Sequence, residues 1–198
     1  MKTFILSIAA IAITGSCFAQ DFAKAMTTAK SAYSAGKLED AHFALQQAMQ
    51  EVDLTVGKEV LKLLPPKLGT MESVAKDDNV ASNVGFVGAA IHRSYVQGTQ
   101  SADISIIDNS PLIAMTNTML NTPMIGMMSN GRNKTVKVQG YKARLEKESG
   151  STPDKNSYEL QIPLGSALFT FRVKDCTDSQ ILELADAIPL QQIAKLID

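Results

Sequence analysis

Between residues 22 and 52 the apolar positions recur at three- and four-residue steps: Phe22, Ala25, Met26, Ala29, Ala32 and Tyr33, then Leu38, Ala41, Leu45, Ala48, Met49 and Val52. Each run puts its apolar members on one face of a helix. Gly36 separates the runs. Glycine reaches the left-handed conformation that ends a helix without steric cost, so the chain is expected to turn there within two or three residues. Small alanines on both stripes favour close approach of two antiparallel helices. A third helix is expected over roughly 54–64, stopped by Pro65-Pro66.

From 67 to 82 the pattern lapses into Gly, Asp, Asn and Ser with weak periodicity, and this stretch reads as a linker. Beyond it the period changes to alternation. Strands are expected over 86–96 and 104–107, joined by a turn around Gly98-Thr99-Gln100. Ser110-Pro111 supplies an N-cap and a favoured first-turn proline for a helix carrying Leu112, Ile113, Met115, Met119 and Leu120. Four further strands, 135–139, 141–147, 158–163 and 167–173, are separated by Gly140, by a polar loop over 149–156 and by Gly165. Thr177 and Gln180 form a capping-box pair opening a helix, and Pro189 restarts a final short one. The expected fold class is α+β: an N-terminal helical hairpin, then an antiparallel sheet of about six strands packed with two or three helices.

Tyr33, Gly36, Leu38, Ala41, Leu45 and Ala48 follow the order aromatic, glycine, large apolar, alanine, large apolar, alanine. In this the segment 22–53 resembles a single tetratricopeptide repeat. Ala29 suits that repeat's small position, whereas Ala25 and Thr28 replace its large residues and Asp53 stands where its closing proline is expected. The resemblance implies a module that binds peptides when several copies stack, and one copy cannot bury its own apolar face. The order of elements in the core is similar to the PsbP/Mog1-like group, which implies a binding or accessory role.

Residues 1–19 carry Lys2, the apolar run 4–13 and then Gly15, Ser16 and Ala19, the pattern of a secretory signal peptide cleaved after Ala19. Export to the periplasm or the extracellular space is therefore expected. Cys17 raises a lipid anchor as the alternative, although Thr14 stands where a lipoprotein signal has an aliphatic residue. Domain boundaries are read as 20–66 for the hairpin and third helix, 67–82 for the linker and 83–198 for the α+β domain. Removing 19 residues from 198 leaves 179, with 18 basic and 20 acidic side chains, so no global charge attracts nucleic acid. Cys176 remains as the single cysteine, and no intrachain disulfide is available.

His42 and His92 lack metal-ligand spacing, and no nucleophile elbow or phosphate-cradling loop occurs. No cofactor, no metal and no catalytic residue is assigned. Cys176 is the one conceivable nucleophile and reads equally as a small packed side chain. Two interaction candidates stand out. Met124, Met127 and Met128 form a flexible apolar segment, either core filler or the lip of an adaptable contact surface. Arg132, Lys134, Lys137, Lys142, Arg144 and Lys147 alternate with apolar residues and are expected to make one outward basic strand face. The expected role is a non-catalytic interaction or accessory protein with a protein partner or self-association. Carriage or sensing of an apolar ligand is the alternative, and an anionic membrane surface a further contact for the basic face. An enzyme of undetermined class stands third.

Overall fold

The computed structural model describes residues 16–83, 87–121, 132–149 and 156–197. The chain divides into two compact units, Met1–Glu51 and Val52–Asp198.

The first unit is a helical hairpin made by α1 (Ser16–Ser34) and the first half of α2 (Leu38–Leu63). Gly36 adopts φ 73°. The reversal is closed by two backbone bonds, Lys37 N to Ala32 O at 2.9 Å and Gly36 N to Tyr33 O at 3.0 Å. These are the paired bonds of a Schellman stop.

A separate third helix is not formed, because α2 continues to Leu63. Asp53 stands where a proline would have ended the turn, and aspartate keeps the backbone N–H that helix propagation requires. The helix ends at Pro65-Pro66, as the sequence implies. Two strand residues hold this exit. Arg93 donates to the Leu64 carbonyl at 2.8 Å and forks onto Asp78, while the Tyr95 hydroxyl donates to the Pro65 carbonyl at 2.9 Å.

The second unit is built on a nine-stranded, antiparallel sheet among the described residues. The six expected strands are present as β4 (Val87–Gln97), β5 (Gln100–Ile107), β6 (Asn133–Val138), β7 (Tyr141–Ser149), β8 (Asn156–Leu164) and β9 (Ala167–Cys176). The other three lie in the segment expected to be a linker: β1 (Lys67–Leu68), β2 (Met71–Ser73) and β3 (Asn79–Asn83). They escape periodicity because they are two to five residues long and mostly polar; β2 and β3 form by pairing with one edge of β4, and β1 by pairing with β2. Along that edge β3 pairs with 87–92 and β2 with Tyr95 and Val96. The spatial order is β1-β2-β4-β5-β9-β8-β7-β6. The chain thus leaves β5 through α3 (Leu112–Asn121), starts again at the far edge and winds back until β9 pairs with β5.

Cross-strand register lines up the core. Ile91, Ile106, Phe169 and Ile162 form one row across β4, β5, β9 and β8. Ile104, Phe171, Leu160 and Leu145 form the next. All eight are essentially sealed from solvent. Burying each such side chain contributes about 1.5–3 kcal/mol. The same cluster takes in Val60 and Leu64 of the α2 end, Ile181 and Ala185 of α4 (Asp178–Asp186), and Leu190 and Ile193 of α5 (Leu190–Ile197). The capping box at Thr177 and Gln180 forms as expected. Gln139, at φ 49° in the β6–β7 turn, sends its amide to the Ile188 carbonyl at 2.7 Å, tying that turn to the segment joining α4 and α5.

Candidate interaction surfaces

The buried positions of the hairpin are alanines: Ala25, Ala29 and Ala32 on α1, and Ala41, Ala44 and Ala48 on α2. Counted outward from the turn, 32 and 41, 29 and 44, and 25 and 48 fall at equal distances, so the seam is a ladder of small side chains. Such a seam has no room for the larger members of the two apolar stripes. Tyr33 is 70% exposed, Met49 67% and Leu38 63%, and Leu45, Met26 and Phe22 are each at least 40% exposed.

These six share one side of the hairpin. At about 100° per residue, Phe22, Met26 and Tyr33 lie clockwise of the α1 seam, and Leu38, Leu45 and Met49 lie in the same rotational sense from the α2 seam. Antiparallel direction brings both flanks to one side. The opposite side is a groove of about 580 Å³ whose lining mixes Thr27, Thr28 and Ser31 of α1 and Asp40 and Gln47 of α2 with Ala35 and the exposed Phe43. The hairpin therefore gathers these six large apolar side chains on one broad side, while the other side is mixed in character. Its charges are also sorted: α1 and the turn carry Lys24, Lys30 and Lys37 against Asp21, while α2 up to residue 51 carries Glu39, Asp40 and Glu51.

On the sheet face away from the core rows lies a polar network. Arg144 pairs with Glu146 at 2.6 Å and donates to Gln161 Oε1 at 3.1 Å. Gln161 donates to Glu159 at 2.6 Å, and Glu159 pairs with Arg172, which reaches Glu148 at 3.4 Å. The charges of this network satisfy one another, and Glu159 is buried within it. On β4 and β5, Ser94 Oγ donates to Asp103 Oδ1 at 2.9 Å and lies 3.1 Å from His92 Nε2. Because the serine proton goes to Asp103, the hydroxyl can only accept from His92 Nε2–H. That polarity is opposite to the one that activates a serine nucleophile, in which the histidine removes the hydroxyl proton.

The six basic candidates are not brought onto one face. Side chains alternate along a strand, so Lys134 and Lys137, three apart on β6, are forced to opposite sides. Lys134 sits opposite Leu145 on the core side and pairs with Asp178 at 2.8 Å. Lys147 likewise pairs in register with Tyr158 on the core side. Lys137 and Lys142 face each other across β6 and β7 on the other side, together with Arg144 in its network, and Lys142 donates to Asn121 at 3.3 Å. Arg132 is exposed just before β6, and its carbonyl accepts from Lys147 N at 2.8 Å. Met124, Met127 and Met128 lie outside the described residues.

Cys176 is buried at the end of β9, 3.5 Å from the Val173 carbonyl. Burial pushes its thiol up to about 11. Among the described residues, no group of three His, Cys, Asp or Glu side chains is placed to hold a metal ion, and no helix is long and apolar enough to cross a membrane.

The exposed apolar side of the hairpin is the surface that periodicity alone misses. Its signal lies in the composition of the stripes. Alanines at every third or fourth position suffice to make the seam, which leaves the bulky residues beside them in excess. No protein-family model, curated protein or solved structure matches the chain.

Proposed function

We propose that the chain is an exported, non-catalytic interaction or accessory protein that presents the apolar side of its helical hairpin to a protein partner. The observation that carries this reading is the cluster Phe22, Met26, Tyr33, Leu38, Leu45 and Met49, all exposed on one side of two helices whose seam is already closed by alanine. A contiguous apolar patch of this size exposed to water is a recurrent mark of a binding surface. The leader-like pattern of residues 1–19 supports export, and the resemblance of 22–53 to one tetratricopeptide repeat supports a module that needs a neighbour to cover it.

The test is native mass spectrometry of the protein purified from its own source, alongside the variant Leu45→Glu/Met49→Glu. The expected result is a complex of defined stoichiometry for the unmodified chain, lost in the variant while its circular dichroism is preserved. A single-chain mass for both proteins contradicts the reading.

A further inference from the structure

The leader pattern also specifies the chemistry of the end it would leave. We propose that the exported chain begins at Gln20 and that this glutamine closes to a pyroglutamyl lactam, a modification that removes the positive charge of the new N-terminus. This rests on the export reading above and adds what happens to the chain after cleavage.

Cleavage after Ala19 is favoured by small residues at the two positions a leader peptidase reads, Cys17 and Ala19. Moving the cut by one residue in either direction puts Phe18 or Gln20 immediately before it, and neither is small. The residue that then leads the chain is glutamine. Inside a chain a glutamine carries no nucleophile of its own, but at a terminus its α-amino group can reach its side-chain carbonyl through an unstrained five-membered ring. The unprotonated amine adds to Cδ, the N–Cδ amide bond forms, the Cδ–Nε2 bond breaks, and the departing nitrogen takes up the proton the amine gives up and leaves as ammonia. One amide is exchanged for another, so no oxidant, reductant or cofactor enters. An α-amino group titrates at about 7.7–8.0, so near neutral pH enough of it is unprotonated to react.

The fold tolerates the cut and gives the product a use. Because α1 runs from Ser16 to Ser34, cleavage removes its first turn and Gln20 becomes the first residue of the shortened helix. The seam begins at Ala25, and Asp21 to Lys24 are all exposed, so no member of the alanine ladder is lost. The unpaired N–H groups at a helix start carry a partial positive charge, which repels a terminal ammonium and is indifferent to a neutral lactam. After closure Asp21 is the nearest charge, with the sign the helix favours at that end. Closure also withdraws the free amine that aminopeptidases require, which protects an exported chain from trimming toward the seam.

Intact-mass measurement and Edman sequencing of protein freshly prepared from its own source test this directly. The expected mass is that of residues 20–198 less one ammonia. Edman sequencing should give no signal until pyroglutamyl aminopeptidase has removed the first residue, after which it should read from Asp21. The variant Gln20→Asn, made in the same source, is the control, because its closure would need a strained four-membered ring. It should show the full mass of its residues 20–198 and sequence directly from its first residue. A chain of residues 20–198 with an open glutamine overturns the lactam and leaves the export reading standing. A chain that starts at a different residue past the leader overturns the cut at Ala19, and one that retains residues 1–19 overturns the export reading with it. An Edman block in Gln20→Asn overturns glutamine closure as the origin of the block.

Discussion

Gly57 sits in the middle of the second half of α2, where glycine is ordinarily a liability. Replacing a glycine inside a helix by alanine gains about 0.8–1.0 kcal/mol on propensity alone. Here the expected sign is reversed. A Cβ built on Gly57 would lie 2.5 Å from Val80 Cγ1, 3.3 Å from Ile91 Cγ1 and 3.5 Å from the Ala89 Cβ. To recover an ordinary contact the valine methyl must retreat by about 1 Å. Valine is branched at Cβ and stiff about χ1, and β3 pairs with β4 through residues 79–83, so the displacement is carried into the strand. Overpacking of this kind costs about 1–3 kcal/mol. The steric cost exceeds the gain in helix propensity, and Gly57→Ala should destabilise by about 1 kcal/mol, or about 3 °C in Tm for a chain of this size. Urea unfolding followed by circular dichroism measures it. The decisive comparison is made in a Val80→Ala background, where the offending methyl is absent and the same glycine substitution should become neutral or stabilising. A steric origin is refuted if Gly57→Ala stabilises the unmodified protein as much as it stabilises Val80→Ala.

Two further outcomes follow from the buried ionisable groups. Burial raises the Asp53 carboxyl above its usual range, opposed by the hydrogen bond from Ser82 and assisted by Asp108. The folded state therefore holds this proton more tightly than the unfolded state. The stability tied to the protonated form is complete below the unfolded value and is lost as pH rises through the folded one. Asp53→Asn, which keeps an acceptor for Ser82, should accordingly be at least as stable as the parent at neutral pH and lose that advantage on acidification. A variant that fares worse at pH 7 than at pH 3, relative to the parent, contradicts this. Cys176, with its thiol pushed up to about 11, should resist alkylation in the native protein at pH 7.5 and react at the ordinary rate once unfolded in guanidinium. Rapid native labelling would show that the thiol is not sealed.

How much of the fold is legible in the sequence depends on how each element is stabilised. The strands β4 to β9 announce themselves because one face of each is buried, so Leu160 and Ile162 alternate with Glu159 and Gln161. Thr177 and Gln180 announce a helix start because the capping contacts are local. By contrast β2 and β3 are held by the edge of β4, outside their own segments, and β1 by β2, and their own polar residues give no period. The repeat-like register that closes at Asp53 suggests a new helix after it, yet nothing at that position removes a backbone donor and the helix runs on. The expected basic strand face fails on parity: a charge at 134 and another at 137 cannot share a side of one strand. For the hairpin, spacing locates both stripes but does not say which of their members the seam needs.

Coverage of the apolar side of the hairpin by a second chain is the central claim, and methionine footprinting reads that coverage directly. Met26 and Met49 belong to the patch, Met71 is buried in the core of the second unit and Met115 is exposed on α3. Brief peroxide treatment of the isolated chain and of the complex purified from its own source, quantified by peptide mass spectrometry, gives each sulfoxide rate. Met26 and Met49 should oxidise as fast as Met115 in the isolated chain and slow together in the complex, while Met71 stays slow and Met115 fast in both. Rates for Met26 and Met49 that are the same in the isolated chain and in the complex contradict the claim.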